Sequence, residues 1–250
     1  MKKLVTMSVM LTTLVNGAAA MDRPAEGMAV LDHLEALPVF HTPGTKTIHF
    51  GNYDVVGGND KAGETGRKDD PLRYAGNNNF WSYWTRCYTD RKEMVVLDAA
   101  GPGCIYRQQF NVWGDPCKLG AEFISNPENR IRFYFDDETA PRIDLKINDY
   151  FGHGVKYTAP FTPPFALIDK GGPNPEWANS YYPLPFARRL RVALELKQKD
   201  PLEANWGKWF QFTGIKVAGE TPVATWTGTN QAENSVRGKF SNCGSNPKAV

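Results

Sequence analysis

A chain of 250 residues, 41% hydrophobic and 12% aromatic, carries enough apolar material for one full core, which excludes a disordered or fibrous protein. Its 29 basic and 27 acidic side chains nearly balance, which argues against nucleic acid as a partner. The four histidines and four cysteines show no C-x-x-C, His-x-His or H-E-x-x-H spacing, so neither a metal site nor a cofactor is expected.

Lys2 and Lys3 precede an apolar run from Leu4 to Val15 that closes on Gly17, Ala18, Ala19 and Ala20. A charged start, an apolar stretch too short to span a bilayer and a small-residue cut site mark residues 1–20 as a signal peptide. Its removal reduces the basic side chains to 27, equal to the acidic ones. The expected product is a neutral, exported protein, periplasmic or extracellular, without a membrane anchor. In that oxidising setting Cys87, Cys104, Cys117 and Cys243 allow up to two disulfides in three connectivities.

Residues 21–45 form a lead-in. Met28, Leu31, Leu34 and Leu37 recur at intervals of three, which predicts one short helix from Met28 to Leu37, stopped by Pro38. From residue 46 to 217 the period changes to two. Arg130 to Phe135, Arg142 to Ile147 and Arg191 to Leu196 alternate polar and apolar residues, the pattern of strands with one buried face. Further strands are predicted at Thr47–Tyr53, Phe80–Trp84, Glu93–Leu97, Cys104–Trp113, Phe165–Ile168 and Trp209–Val217. Gly, Pro, Asn and Asp cluster between them. The expectation is an all-β protein, an antiparallel β-sandwich of jelly-roll type, with a closed barrel as the alternative. In residues 218–250 apolar side chains thin out, and an irregular tail or the start of a second unit is expected.

The stretch "FGNYDVVGGNDKAG" interrupts this pattern after the first predicted strand. Gly57 and Gly58 open no helix and belong to no phosphate-binding spacing. Two adjacent glycines permit positive φ and close approach of a ligand, while Asp54, Asn59 and Asp60 supply acceptors and an amide donor. That mixture suits vicinal sugar hydroxyls; the plain alternative is a turn bonded to its own backbone. Tyr181 and Tyr182 are aromatic candidates for a sugar face, against the alternative of core packing, which is favoured for Trp81 and Trp84. No serine sits in a G-x-S-x-G frame. Asp136, Asp137 and Glu138 read as a solvated turn rather than a glycosidase pair.

Taken in order, "YDVVGGND", "LDAAGPGCIYRQQF", "IRFYFDDETAPRIDLKINDYFG" and "SYYPLPFARRLRVALE" resemble the N-terminal half of glycoside hydrolase family 172, also known as domain-of-unknown-function family 2961, over Leu34 to Leu196. The resemblance implies a double jelly-roll protomer that assembles into trimers or their multiples. It also implies retaining cleavage of α-fructofuranosyl or arabinofuranosyl substrates by two glutamates, in segments like "W-x-G-E-G-D" and "G-T-G-x-E-D-Y". Neither segment is present. The nearest string, Thr227 to Asn234, has no Asp-Tyr after Glu233. The expectation is therefore a family member truncated before its catalytic glutamates and inactive alone, with an exported sugar-binding or assembly module as the alternative.

Overall fold

The computed structural model describes residues 25–34, 41, 43–51, 88–90, 93–111, 129–152, 157–168, 177–195, 210–218, 221–230 and 232–243. Eleven strands among these residues form two antiparallel sheets: β1 Lys46–Gly51, β2 Tyr88–Asp90, β3 Glu93–Ala100, β4 Gly103–Asn111, β5 Arg130–Phe135, β6 Ile143–Lys146, β7 Ala166–Ile168, β8 Trp177–Ser180, β9 Leu184–Phe186, β10 Arg189–Glu195 and β11 Phe210–Lys216. One sheet runs β1-β11-β4-β8-β7, with β9 pairing along the other half of β4; the second runs β2-β3-β10-β5-β6. The expected all-β sandwich is present.

The alternating segments behave as their period requires. In β5, Ile131, Phe133 and Phe135 are fully buried, and in β10 Leu190, Val192 and Leu194 meet them from the neighbouring strand. Phe110, Phe210 and Phe212 face them from the other sheet and contact one another edge-on or tilted. Burying a ring of this size contributes about 1.5–3 kcal/mol, so this aromatic layer dominates the cohesion of the two sheets. Each sheet also carries a bulge. Tyr106 is the extra residue where Thr213 pairs Arg107 and Gly214 pairs Ile105, and Val96 is the extra residue opposite Val192 and Ala193. Gly214 is required at its bulge, because a Cβ there would lie 2.1 Å from the Cys104 carbonyl oxygen.

Among the described residues, three helices stand where one was predicted. Helix α1 covers Met28–Asp32, shorter than expected; residues 35–37 lie outside the described residues. Helix α2, Ile147–Phe151, begins inside a predicted strand. It is too short to show a helical period, and it forms because Ile147, Tyr150 and Phe151 all drop into the core. Helix α3, Glu233–Ser241, lies in the segment expected to be irregular. Val236 is its one buried residue, so the sequence has no apolar stripe to announce it. Its attachment is polar: Arg237 donates to the Pro160 and Pro163 carbonyls, and Lys239 pairs with Asp32 of α1. Trp226, just before it, inserts among Phe135, Phe161 and Tyr182. The segment expected to be an irregular tail or the start of a second unit therefore contributes both a core residue and a docked helix.

Cys104 is a buried thiol and Cys243 an exposed one. Neither forms a disulfide, which corrects the expectation for these two; Cys87 and Cys117 lie outside the described residues. No described helix is long and apolar enough to cross a membrane.

Candidate functional site

Two-residue corners join the sheets at one end of the sandwich, Gly101-Pro102 between β3 and β4 and Ala187-Arg188 between β9 and β10. The connections of the opposite end are long. The chain leaves β1 after Gly51, β4 after Asn111, β7 after Ile168 and β10 after Glu195, and re-enters at Trp177 and Phe210. The register brings these positions level: Gly51 faces Gln211, Phe210 faces Phe110, and Phe110 and Ile168 both face Ala178. Asp54, Gly57, Gly58, Asn59 and Asp60 belong to the connection that leaves β1 here. They lie outside the described residues, as do Trp81 and Trp84.

Just inside this end, the outer face of the six-stranded sheet carries two polar rows. His49, Thr213 and Arg107 are register partners, and next to them Gln211, Gln109 and Asn179. His49 Nδ1 shares a hydrogen bond of 3.0 Å with Thr213 Oγ1. Burial first, and then the Arg107 charge, hold the His49 pKa below its usual value, which favours the neutral ring. Arg107 Nη2 donates to Gln109 Oε1. Arg107 Nε and Asn179 Oδ1 are buried without a hydrogen-bond partner among the described residues.

On the outer face of the other sheet the charges satisfy one another. Arg132 pairs with Glu93, Glu195 and Asp144, Arg130 with Asp144 at 2.5 Å, and Tyr134 donates to both oxygens of Glu93. Burial alone would lower the Arg132 pKa, but the three carboxylates outweigh it and raise it. Arg189 grips Asp98 with two bonds of 2.7 Å, and Arg191 lies 4.4 Å over the Tyr134 ring. Between them and the β5–β6 hairpin lies an open cleft of about 120 Å³ lined by Tyr134, Asp137, Glu138, Thr139, Arg189 and Arg191.

The acids of that hairpin serve the turn. Asp136 and Asp137 both have positive φ, 49° and 67°, which aspartate tolerates better than most residues. Asp136 accepts from the Arg188 and Arg189 N–H groups and from Thr225. Burial pushes its carboxyl pKa up, but these donors win and hold it below the usual value. Glu138 pairs with Arg142.

Tyr182 is fully buried, which moves it from the expected sugar groove into the core. Its hydroxyl donates to Glu233 at 2.8 Å and accepts from the Trp226 indole at 3.4 Å. Burial chiefly, with Glu233 adding to it, pushes its phenol pKa well above normal. Glu233 is held on its other oxygen by Arg237 at 2.7 Å, so it serves as the polar clasp of α3. Tyr181 remains 41% exposed. The polar rows escaped sequence reasoning because outward Gln, Asn and Thr on strands look like ordinary wetted residues; only register reveals that they align.

No group of three or more His, Cys, Asp or Glu side chains among the described residues is arranged to hold a metal ion. The model of the GH172 first beta-sandwich domain matches residues 44–234. No curated protein matches the chain.

Proposed function

The chain belongs to the GH172 family as its first β-sandwich domain, a glycoside-hydrolase-related, carbohydrate-active family, and from that premise we propose that it binds furanosides at the long-connection end of its sandwich. On this reading it is exported, associates into trimers or their multiples, and does not cleave glycosides by itself. Asp54, Gly57, Gly58, Asn59 and Asp60 approach the sugar on the connection from β1, with Tyr181 as the aromatic candidate. The observation that carries the reading is the match over residues 44–234, together with the engagement of three glutamates among the described residues. Glu93, Glu138 and Glu233 each hold an arginine. A retaining glycosidase needs one carboxylic acid and one nucleophile ~5 Å apart, both turned to the sugar, whereas these three carboxylates are turned to guanidinium groups.

The test is to incubate the protein with p-nitrophenyl α-arabinofuranoside and α-linked fructose disaccharides, and to follow furanoside binding by calorimetry. No turnover is expected, and Asp60→Ala should weaken binding about tenfold, as loss of a polar ligand contact does. Turnover abolished by Glu233→Gln would overturn the reading and make the first turn of α3 catalytic. Equal binding by wild type and Asp60→Ala would reduce the loop to a turn.

A further inference from the structure

Among the described residues, the polar rows on the six-stranded sheet hold two of the three buried side-chain polar atoms that lack a hydrogen-bond partner; the third, Gln108 Nε2, lies in the interior. Arg107 spends one nitrogen on Gln109 and keeps a buried Nε–H without an acceptor; Asn179 keeps a buried Oδ1 without a donor. Gln109 lies directly opposite Asn179 and two residues from Arg107 on the same strand, so all three side chains share the outer face. Arg107 and Asn179 are diagonal neighbours, roughly 7–8 Å apart at the backbone. Buried polar atoms are nearly always paired, so an unpaired donor beside an unpaired acceptor calls for an explanation.

We infer that Arg107, Gln109 and Asn179 form a subsite for the hydroxyl groups of a sugar on the outer face of the six-stranded sheet, beside the long-connection end. A hydroxyl both donates and accepts, so a ring bearing several satisfies Arg107 Nε and Asn179 Oδ1 together. A fully ionised inorganic anion satisfies the arginine and leaves Asn179 Oδ1 without a donor; phosphate keeps an O–H at neutral pH and is the anion that competes for both atoms. Leu167 stands opposite Asn179 in the register and is 43% exposed, which gives the C–H face of a sugar an apolar neighbour next to the polar row. The inference rests on the carbohydrate reading above and extends it from the loop to residues of β4 and β8.

The experiment titrates the full chain, by NMR, with methyl α-arabinofuranoside, methyl α-glucopyranoside and inorganic phosphate, using wild type, Asn179→Val, Arg107→Lys and Asp60→Ala. Each of the first two variants should weaken sugar binding about tenfold. Asn179→Val should also raise the thermal midpoint, because it removes a buried unpaired acceptor. Sugar binding lost in Asp60→Ala but unchanged in Asn179→Val and Arg107→Lys would sink the subsite and leave the loop reading standing. Pyranoside binding that depends on Asn179 and Arg107, with no furanoside binding, would sustain the subsite and overturn the furanoside reading. Binding of phosphate in preference to either sugar, binding of none of the three, or a lowered midpoint in Asn179→Val would overturn the subsite.

Discussion

On the outer face of the five-stranded sheet, Glu93, Arg132, Asp144 and Glu195 close a network in which each charge meets an opposite one. On the outer face of the six-stranded sheet, Arg107 leans on the neutral Gln109 and leaves Nε unmet, and Asn179 leaves Oδ1 unmet. Both faces are polar, but the first has spent its hydrogen-bonding capacity internally. A ligand arriving there must break ion pairs, whereas on the six-stranded sheet one donor, Arg107 Nε–H, and one acceptor, Asn179 Oδ1, have no partner among the described residues to give up. Leftover capacity, rather than polarity, separates a candidate binding face from a solvated one.

The comparison can be broken first at Gly214. Its missing Cβ is what allows the bulge that brings Arg107 level with Thr213 and His49. Gly214→Ala should cost about 3 kcal/mol or more, through a clash with backbone that cannot move aside. Urea denaturation measures this, and an unchanged midpoint would mean that the bulge does not set the rows. Glu93→Ala strikes the other face. It leaves the Tyr134 hydroxyl without its acceptor and Arg132 with two carboxylates instead of three, and should cost about 2–3 kcal/mol, since one partner of a largely buried pair is removed. Sugar binding should survive it.

Much of this architecture was legible before the structure. The alternation in Arg130 to Phe135 and in Arg191 to Leu196 recurs in β5 and β10, because a strand buried on one face writes its period into the chain. Strand β9 was not legible: Pro183 and Pro185 flank Leu184, and proline ordinarily argues against a strand. Strand β8 was hidden by its brevity, and α3 by having a single buried residue and a polar clasp. The candidate subsite was the least legible, since Arg107, Gln109 and Asn179 come together only through the β4–β8 register.

A smaller effect comes from the α3 clasp. Glu233→Gln removes the charge facing Arg237 while retaining an acceptor for Tyr182, and should destabilise by about 1 kcal/mol. It should leave sugar binding unchanged, because the clasp belongs to neither outer face. A tenfold loss of affinity would join this region to the site.

The smallest expected effect is a pH dependence at Asp136. Its folded pKa lies below the 3.8 of the free group, so its contribution is fully present above that value. It fades as the pH falls through the lower folded value. The stability difference between wild type and Asp136→Asn, followed by denaturant melts from pH 7 to pH 3, should therefore hold constant at higher pH and shrink only below about 4. A difference that shrinks between pH 6 and pH 5 would contradict the hydrogen-bonded, ionised Asp136 described here.

The contrast between the two faces is tested most directly by mapping amide chemical shifts while methyl α-arabinofuranoside is added to the wild-type protein. Saturable shifts are predicted at Arg107, Gln109 and Asn179, including the Arg107 Nε–H, with the signals of Glu93, Arg132 and Glu195 unmoved. Shifts confined to the five-stranded sheet, or no shifts on either face, would contradict the account.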